Sequence, residues 1–342
     1  MLTLLVAVSS AEAKYWKIGP SSVTGMDFAS INDAVSSSSV TAGDTLYLDQ
    51  YYNESAEQNV TKRVVIIGTG YDTSLTDEQV VATLTKALNL KTNKAVVKSV
   101  KLSTVNFYNT DCTMERCYAK EVKTASSTAG INHIYSSFIF GKIEGYSSDN
   151  YSMFDIQNNC IVRQYVNTYT IQYLTSSIIK NNVIISTHNN SSYNYRSLIN
   201  IKDTEISNNI ILATETTSDT YFDFELDDKI ISSGSGNTIE HNILSHRGAL
   251  TYFPNNKVGY GNSLSELFTQ TGNYSDYYKL TEDSPAKGYA TDGGEVGCHG
   301  GMFGCPSGGR PQYIPYFTKV TIGSRSENGK LPVSVSIKIQ DE

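Results

Sequence analysis

Ile179-Lys180-Asn181-Asn182-Val183-Ile184 decides the fold, because the same phrase returns through the middle of the chain. Its form is an apolar residue, two variable positions, Asn, one variable position and an apolar residue. It recurs as Ile156-Gln157-Asn158-Asn159-Cys160-Ile161, Ile206-Ser207-Asn208-Asn209-Ile210-Ile211 and Ile239-Glu240-His241-Asn242-Ile243-Leu244. A degenerate copy, Ile134-Tyr135-Ser136-Ser137-Phe138-Ile139, precedes them, and successive copies are 22, 23, 27 and 33 residues apart. Repeats of 20 to 50 residues are typical of stacked units, none of which buries its apolar face alone. The chain is therefore read as a solenoid.

The Asn positions choose among solenoids. Asn tolerates the left-handed backbone of a two-residue turn. Equivalent Asn side chains pointing inward from successive coils donate to and accept from one another, so their buried amides stay satisfied. That is the asparagine ladder of a parallel β-helix. A leucine-rich repeat also carries an Asn before an apolar residue, but its apolar position five before the Asn is filled here by Ser177, Thr204 and Asn237 in three copies, and only Phe154 is apolar. The β-branched strands and the widening interval likewise fit coils with loops of variable length.

Repeats override the usual length prior, so 342 residues read as one elongated domain with a cap at each end. The net charge is −7, and only 18% of residues are charged, which gives no basic footprint for a nucleic-acid partner. Tyr is abundant, at 24 residues. Residues 1–13 are apolar through Leu5, Val6 and Val8 and end Ala11-Glu12-Ala13, a small-x-small cleavage pattern expected of a secretory signal peptide. No stretch reaches the 18 or so apolar residues of a membrane span. Five Cys leave at least one thiol unpaired within the chain. Cys298 and Cys305 bracket His299-Gly300-Gly301-Met302-Phe303-Gly304 and, in an exported protein, are expected to form a small disulfide loop. A Cys-His-Cys metal site is the alternative, but the segment supplies no fourth ligand.

Phe28, Ile31, Ala34 and Val35 recur at helical spacing, with Asp27 as the expected N-cap. Gly43-Asp44-Thr45-Leu46-Tyr47-Leu48, Tyr52-Asn53-Glu54 and Val64-Val65-Ile66-Ile67-Gly68 read as turn and strand, turn, and second buried strand. Leu84, Leu88 and Leu90 suggest that residues 75–98 make a helical or loop excursion. Thr318 to Ile322, a polar turn at Glu327-Asn328-Gly329, and alternating Leu331, Val333, Val335, Ile337 and Ile339 predict an antiparallel hairpin packed as a cap.

Phe28-x-x-Ile31-x-x-Ala34-Val35, Gly43-Asp44-Thr45-Leu46-Tyr47-Leu48 and Val65-Ile66-Ile67-Gly68-x-Gly70 resemble the amino-terminal cap and first coil of the pectin-lyase-like superfamily. Tyr278-Lys279-Leu280, Ser284-Pro285-Ala286-x-Gly288, Gly294-x-x-Gly297 and Gly300-Gly301 resemble the segment that closes the helix in many secreted bacterial relatives. The resemblance covers roughly residues 16–310. It implies an all-β, right-handed parallel β-helix of three sheets with an amino-terminal helical cap. The expected division is a signal-peptide remnant at 1–13, the β-helix at 14–310 and the hairpin cap at 311–342. It also implies a secreted or cell-surface protein, and it says little about activity, since one fold hosts many functions.

Superfamily enzymes act on polysaccharides, so their residue patterns can be sought directly. Asp227-Asp228 and His299-Gly300 match two polygalacturonase-type elements, but the Asn-x-Asp and Arg-x-Lys elements are missing in place. A lyase instead needs carboxylates that bind Ca²⁺ and an Arg or Lys base. In Tyr221-Phe222-Asp223-Phe224-Glu225-Leu226-Asp227, strand alternation puts Tyr221, Asp223, Glu225 and Asp227 on one face. Gln172, Asn200, Lys202 and Asp203 from preceding coils would extend it into a polar groove if the coils stack in register. Two readings of that face stay open. It is a solvated sheet surface, or Asp223, Glu225 and Asp227 hold Ca²⁺ while Tyr221 and Lys202 contact a sugar. Ser and His are too dispersed for a hydrolase triad, and His241 reads as a turn residue. The expected role is carbohydrate contact by an exported binding or surface protein, because Tyr faces suit sugar rings. A lyase or glycoside hydrolase for an acidic glycan, and a structural adhesin module, are the alternatives.

Overall fold

A computed structural model describes residues 13–73, 80–127, 130–164, 169–188, 197–215, 231–232, 236–245, 254–260, 264–269, 278–305, 307–309, 316–322 and 333–338. Its strands form two large, wholly parallel sheets of ten and fourteen strands, the stack of a parallel β-helix. Each coil of the first sheet contributes one inward residue to a single column: Trp16, Leu46, Ile66, Val97, Met114, Ile134, Ile156, Ile179, Ile206 and Ile239. A second column, Leu84, Leu102, Ala119, Ile139, Ile161, Ile184, Ile211 and Leu244, faces it from the other sheet. From Leu46 to Ile206 in the first column and throughout the second, these side chains are buried. Sealing one such aliphatic side chain from water contributes about 1.5–3 kcal/mol, and in a solenoid the gain exists only when the neighbouring coil is present.

The recurring Asn pair performs two separate jobs. Asn158, Asn181, Asn208 and His241 take the left-handed turn conformation, at φ 58, 53, 58 and 55°. The second residue of each pair points inward. Asn159, Asn182, Asn209 and Asn242 are fully buried, and each Nδ2 donates to the Oδ1 of the next coil at 3.0, 3.0, 3.0 and 2.9 Å, ending on Asn256. The same Oδ1 atoms accept the backbone N–H of the preceding coil's Asn at 2.9 Å. Toward the amino terminus the ladder continues into Ser137, whose Oγ accepts from Cys117 N. A second polar column lies at another corner, where Phe154 N donates to Ser177 Oγ, Ser177 N to Thr204 Oγ1 and Thr204 N to Asn237 Oδ1. The residues that break a leucine-rich pattern are thus the acceptors of the β-helix corner.

Early strands of the larger sheet bend around a corner instead of ending at it. Thr83–Leu90 is such a strand, so the excursion expected over residues 75–98 is, from residue 80, part of the solenoid. Across the corner the inward residues of the neighbouring strand, Leu102 and Val105, are three apart, and a register shift between Leu84 and Ala87 inserts one more residue, which gives Leu84 and Leu88 the four-residue spacing of a helix. At the same corner a Cβ on Gly141 would lie 1.9 Å from Lys120 O, so no larger residue fits without moving backbone. From Cys160–Gln164 onward the two limbs separate, and Ile171–Thr175, Leu198–Lys202 and Ile231–Ser232 build a third face.

A six-residue helix, Ile31–Ser36, buries Ile31, Ala34 and Val35. Its N-cap is Ser30 and not Asp27: Ser30 is extended and its Oγ accepts from Asp33 N at 3.0 Å, while Asp27 accepts from Lys17 N at 2.8 Å. Asn53–Glu54, expected as a turn, pairs as a short strand with Thr83 and Leu84. At the carboxyl end, Tyr316–Ile322 and Val333–Lys338 form the expected antiparallel pair, and the turn at Glu327 to Gly329 lies outside the described residues. Among the described residues no helix is long and apolar enough to cross a membrane.

The segment expected to close the helix instead runs back along its flank as a strap. Pro285 O accepts from Lys257 Nζ, Thr291 exchanges hydrogen bonds with Asn208, Cys298 O accepts from Asn158 Nδ2, Phe303 O accepts from Ser136 Oγ, and Gly308 O accepts from Tyr71 N. The strap advances as the solenoid numbering falls. Beneath it lies an outward column of the larger sheet, Phe138, Cys160, Val183, Ile210 and Ile243, which forms a second apolar cluster with Leu267, Phe268, Leu280, Ala286 and Val296. These strands are buried on both faces, hence paired aliphatics such as Val183-Ile184.

Candidate functional site

The inward column of the first sheet sets what stands outside it. His133 and Tyr135 flank Ile134, Asp155 and Gln157 flank Ile156, and the parallel register sets His133 against Asp155 and Tyr135 against Gln157. The Tyr135 hydroxyl lies 2.5 Å from Asp155 Oδ2 and 2.8 Å from His133 Nδ1. Gln157 Nε2 donates to Asp155 Oδ1 at 2.7 Å. From the strap, Phe303 stacks on Tyr135 with centroids 4.0 Å apart and planes 5° from parallel. His133 and Asp155 keep 28% and 16% of their side-chain surface in solvent, so the cluster is held from behind and open in front.

Burial by itself would raise the Asp155 carboxyl, but the proximity of His133, 3.6 Å away, and hydrogen bonds from Tyr135 and Gln157 outweigh it and hold the group below the ordinary carboxylate value. Burial, followed by the hydrogen bond to Asp155, pushes the Tyr135 hydroxyl up. The resting arrangement is therefore an ionised Asp155 accepting from a protonated Tyr135. The Tyr135 oxygen in turn accepts from His133 Nδ1–H, a tautomer assigned from the network, which leaves the Nε2 lone pair as an acceptor or base. Lys98–Glu115 at 2.6 Å and Lys180–Glu205 at 3.4 Å continue the polar strip on either side. Farther along the same column stands Tyr47, 40% exposed, edge-on to Tyr15 at 70%. A depression of about 320 Å³ lined by Lys17, Met26, Asp49 and Thr69 adjoins Tyr47.

Of the residues singled out in the sequence, Tyr221, Asp223, Glu225 and Asp227, with the Ca²⁺ site they would form, lie outside the described residues. Lys202 is exposed on the third face, and its Nζ sits 4.1 Å from the centre of the Tyr151 ring, itself edge-on to Tyr173. The polar column expected there is out of phase: Gln172 pairs with Ile199, whereas Lys202 pairs with Thr175. Gln172 donates instead to Glu144. Cys298 and Cys305 are free thiols whose sulfur atoms lie within 4.8 Å of each other, and Cys160 Sγ stands 3.4 Å from Cys298 Sγ.

His133, Tyr135 and Asp155 escape a reading of scattered histidines. Their signal is the repeat phase, because aligning Ile134 on Ile156 places His133 directly beside Asp155. Comparison with protein-family models, curated proteins and solved structures returns no match.

Proposed function

We propose that the chain is an exported parallel β-helix protein of pectin-lyase-like type that contacts a polysaccharide along the outer face of its first sheet. The observation that carries this reading is one strip of outward side chains, Tyr47, Ile67, Lys98, Glu115, Tyr135 and Gln157, one to each coil and polar or aromatic at all but Ile67, with His133 and Asp155 in the adjoining column. A linear glycan presents hydroxyls and apolar ring faces at similar intervals, and parallel coils about 4.8 Å apart offer donors, acceptors and aromatic faces along its length. The resemblance to secreted carbohydrate-active β-helices supports the same class of ligand. An exported binding or surface role is favoured over an adhesin module without a ligand, since Asp155 is held ionised toward solvent by two donors, Tyr135 and Gln157.

One observation favours catalysis as a second reading. The chain Asp155, Tyr135, His133 orients an imidazole whose Nε2 lone pair is suited to proton transfer from an acidic glycan. A glycan array followed by an activity screen, each with and without Ca²⁺, separates the readings. Retention of a polysaccharide without cleavage supports binding; new unsaturated or reducing ends support catalysis; failure to retain any acidic or neutral polysaccharide overturns both.

A further inference from the structure

We propose that Cys160, Cys298, His299 and Cys305 form a closed four-ligand site for a soft divalent cation, Zn²⁺ by ligand type, that fastens the strap to the solenoid. The segment from Cys298 to Cys305 supplies only three ligands, and the fold brings the fourth from 138 residues away. In its outward column Cys160 follows Tyr118 and Phe138 and precedes Val183, Ile210 and Ile243, so it alone presents a metal-binding atom among apolar and aromatic neighbours.

The separations suit a tetrahedral site. Zn–S bonds of about 2.3 Å place the sulfurs of such a site about 3.8 Å apart. Cys160 Sγ and Cys298 Sγ are 3.4 Å apart, and the ligand atoms of Cys298, His299 and Cys305 lie within 4.8 Å of one another. A Cys₃His donor set is among those that structural zinc sites use, and soft thiolates select Zn²⁺ over Mg²⁺ or Ca²⁺. Cys160 and Cys298 are buried while His299 and Cys305 are half-buried, so the sheet closes the site from behind and an ion enters from the strap side.

The backbone around the ligands is held by solenoid side chains, much as hydrogen bonds behind a metal site fix the orientation of its ligands. Asn158 Nδ2 donates to the carbonyls of Cys298 and Gly300, and Ser136 Oγ donates to those of Phe303 and Gly304 at 2.7 and 2.9 Å. Asn158 and Ser136 are left-handed turn residues of consecutive coils, so the corner that carries the ladder also positions the loop. The inference is independent of any glycan.

Titration of the reduced, full-length protein with Co²⁺ tests it without substitution. The expected result is saturation at one ion per chain, with the strong visible absorption of a tetrahedral thiolate site, displaced by one equivalent of Zn²⁺. Cys160→Ser should abolish that absorption, and His299→Ala should weaken affinity at least tenfold while keeping the thiolate bands. No absorption change on addition of millimolar Co²⁺ to the wild type would overturn the proposal. So would unaltered spectra in a folded Cys160→Ser chain. Protein isolated without reductant or chelator should contain zinc; a Cys298–Cys305 or Cys160–Cys298 disulfide found there by peptide mapping, with no zinc, would also overturn it.

Discussion

Asn182 Nδ2 donates to Asn209 Oδ1 at 3.0 Å, and Asn182 N donates to the same oxygen at 2.9 Å, so one amide oxygen joins two coils whose Asn residues are 27 apart in sequence. Asn209→Leu keeps the volume roughly and removes that acceptor. Two buried donors on Asn182 then lose a partner, at a cost of about 1–3 kcal/mol each, tempered by the carbonyls that Asn182 Nδ2 also reaches. The urea midpoint should fall with an unchanged slope. An unaltered midpoint would contradict the ladder's energetic role.

Gly301 gives a test of the strap. Its φ is 72°, and a Cβ there would stand 1.7 Å from Asn181 Nδ2. Gly301→Ala forces a left-handed Ala, at about 1–3 kcal/mol, and displaces a turn residue of the solenoid. Amide exchange should speed up across residues 297–305 while the amides of Ile179 and Ile206 stay protected. Exchange across residues 297–305 that is the same in Gly301→Ala as in the wild type would mean that the strap is not seated by this contact.

Asp155 predicts a pH dependence of definite sign. A carboxyl whose folded value is depressed contributes stability that is present above its unfolded value and is lost as pH falls through the folded one. The wild type should therefore melt above Asp155→Asn near neutral pH, and the gap should close as the medium is acidified from about pH 5 toward about pH 2. Melting curves that keep a constant gap over that range would remove Asp155 as an ionised acceptor.

The stacking direction was legible because each coil repeats the same demand: one inward aliphatic residue, one left-handed turn residue, one buried amide. Ile156, Asn158 and Asn159 state all three. Thr83–Leu90 was not legible, since one inserted residue at the corner gives its leucines the spacing of a helix. The strap was hidden for a different reason. Its contacts, such as Ser136 with Phe303, span 167 residues and follow no period, and its glycines look alike whether a loop closes the stack or runs along it. Part of the candidate site was within reach, because the phase that aligns Ile134 with Ile156 also pairs His133 with Asp155. A pattern keyed to apolar and Asn positions passes over the outward residues between them. The stacking of Phe303 on Tyr135 depends on the strap and could not be read the same way.

The most direct test of the central claim, that the first sheet's outer face meets the glycan, compares two faces of one solenoid. Affinity for the best array polysaccharide should be measured by calorimetry for the wild type, Asp155→Asn and Lys202→Ala, with circular dichroism confirming the fold of each. Loss of a charge-assisted hydrogen bond contributes about 1.5–3 kcal/mol, so Asp155→Asn should weaken binding by about tenfold or more. Lys202→Ala, on the third face, should bind like the wild type. The reverse result, with binding intact in Asp155→Asn and lost in Lys202→Ala, would contradict the account and move the site to the third face.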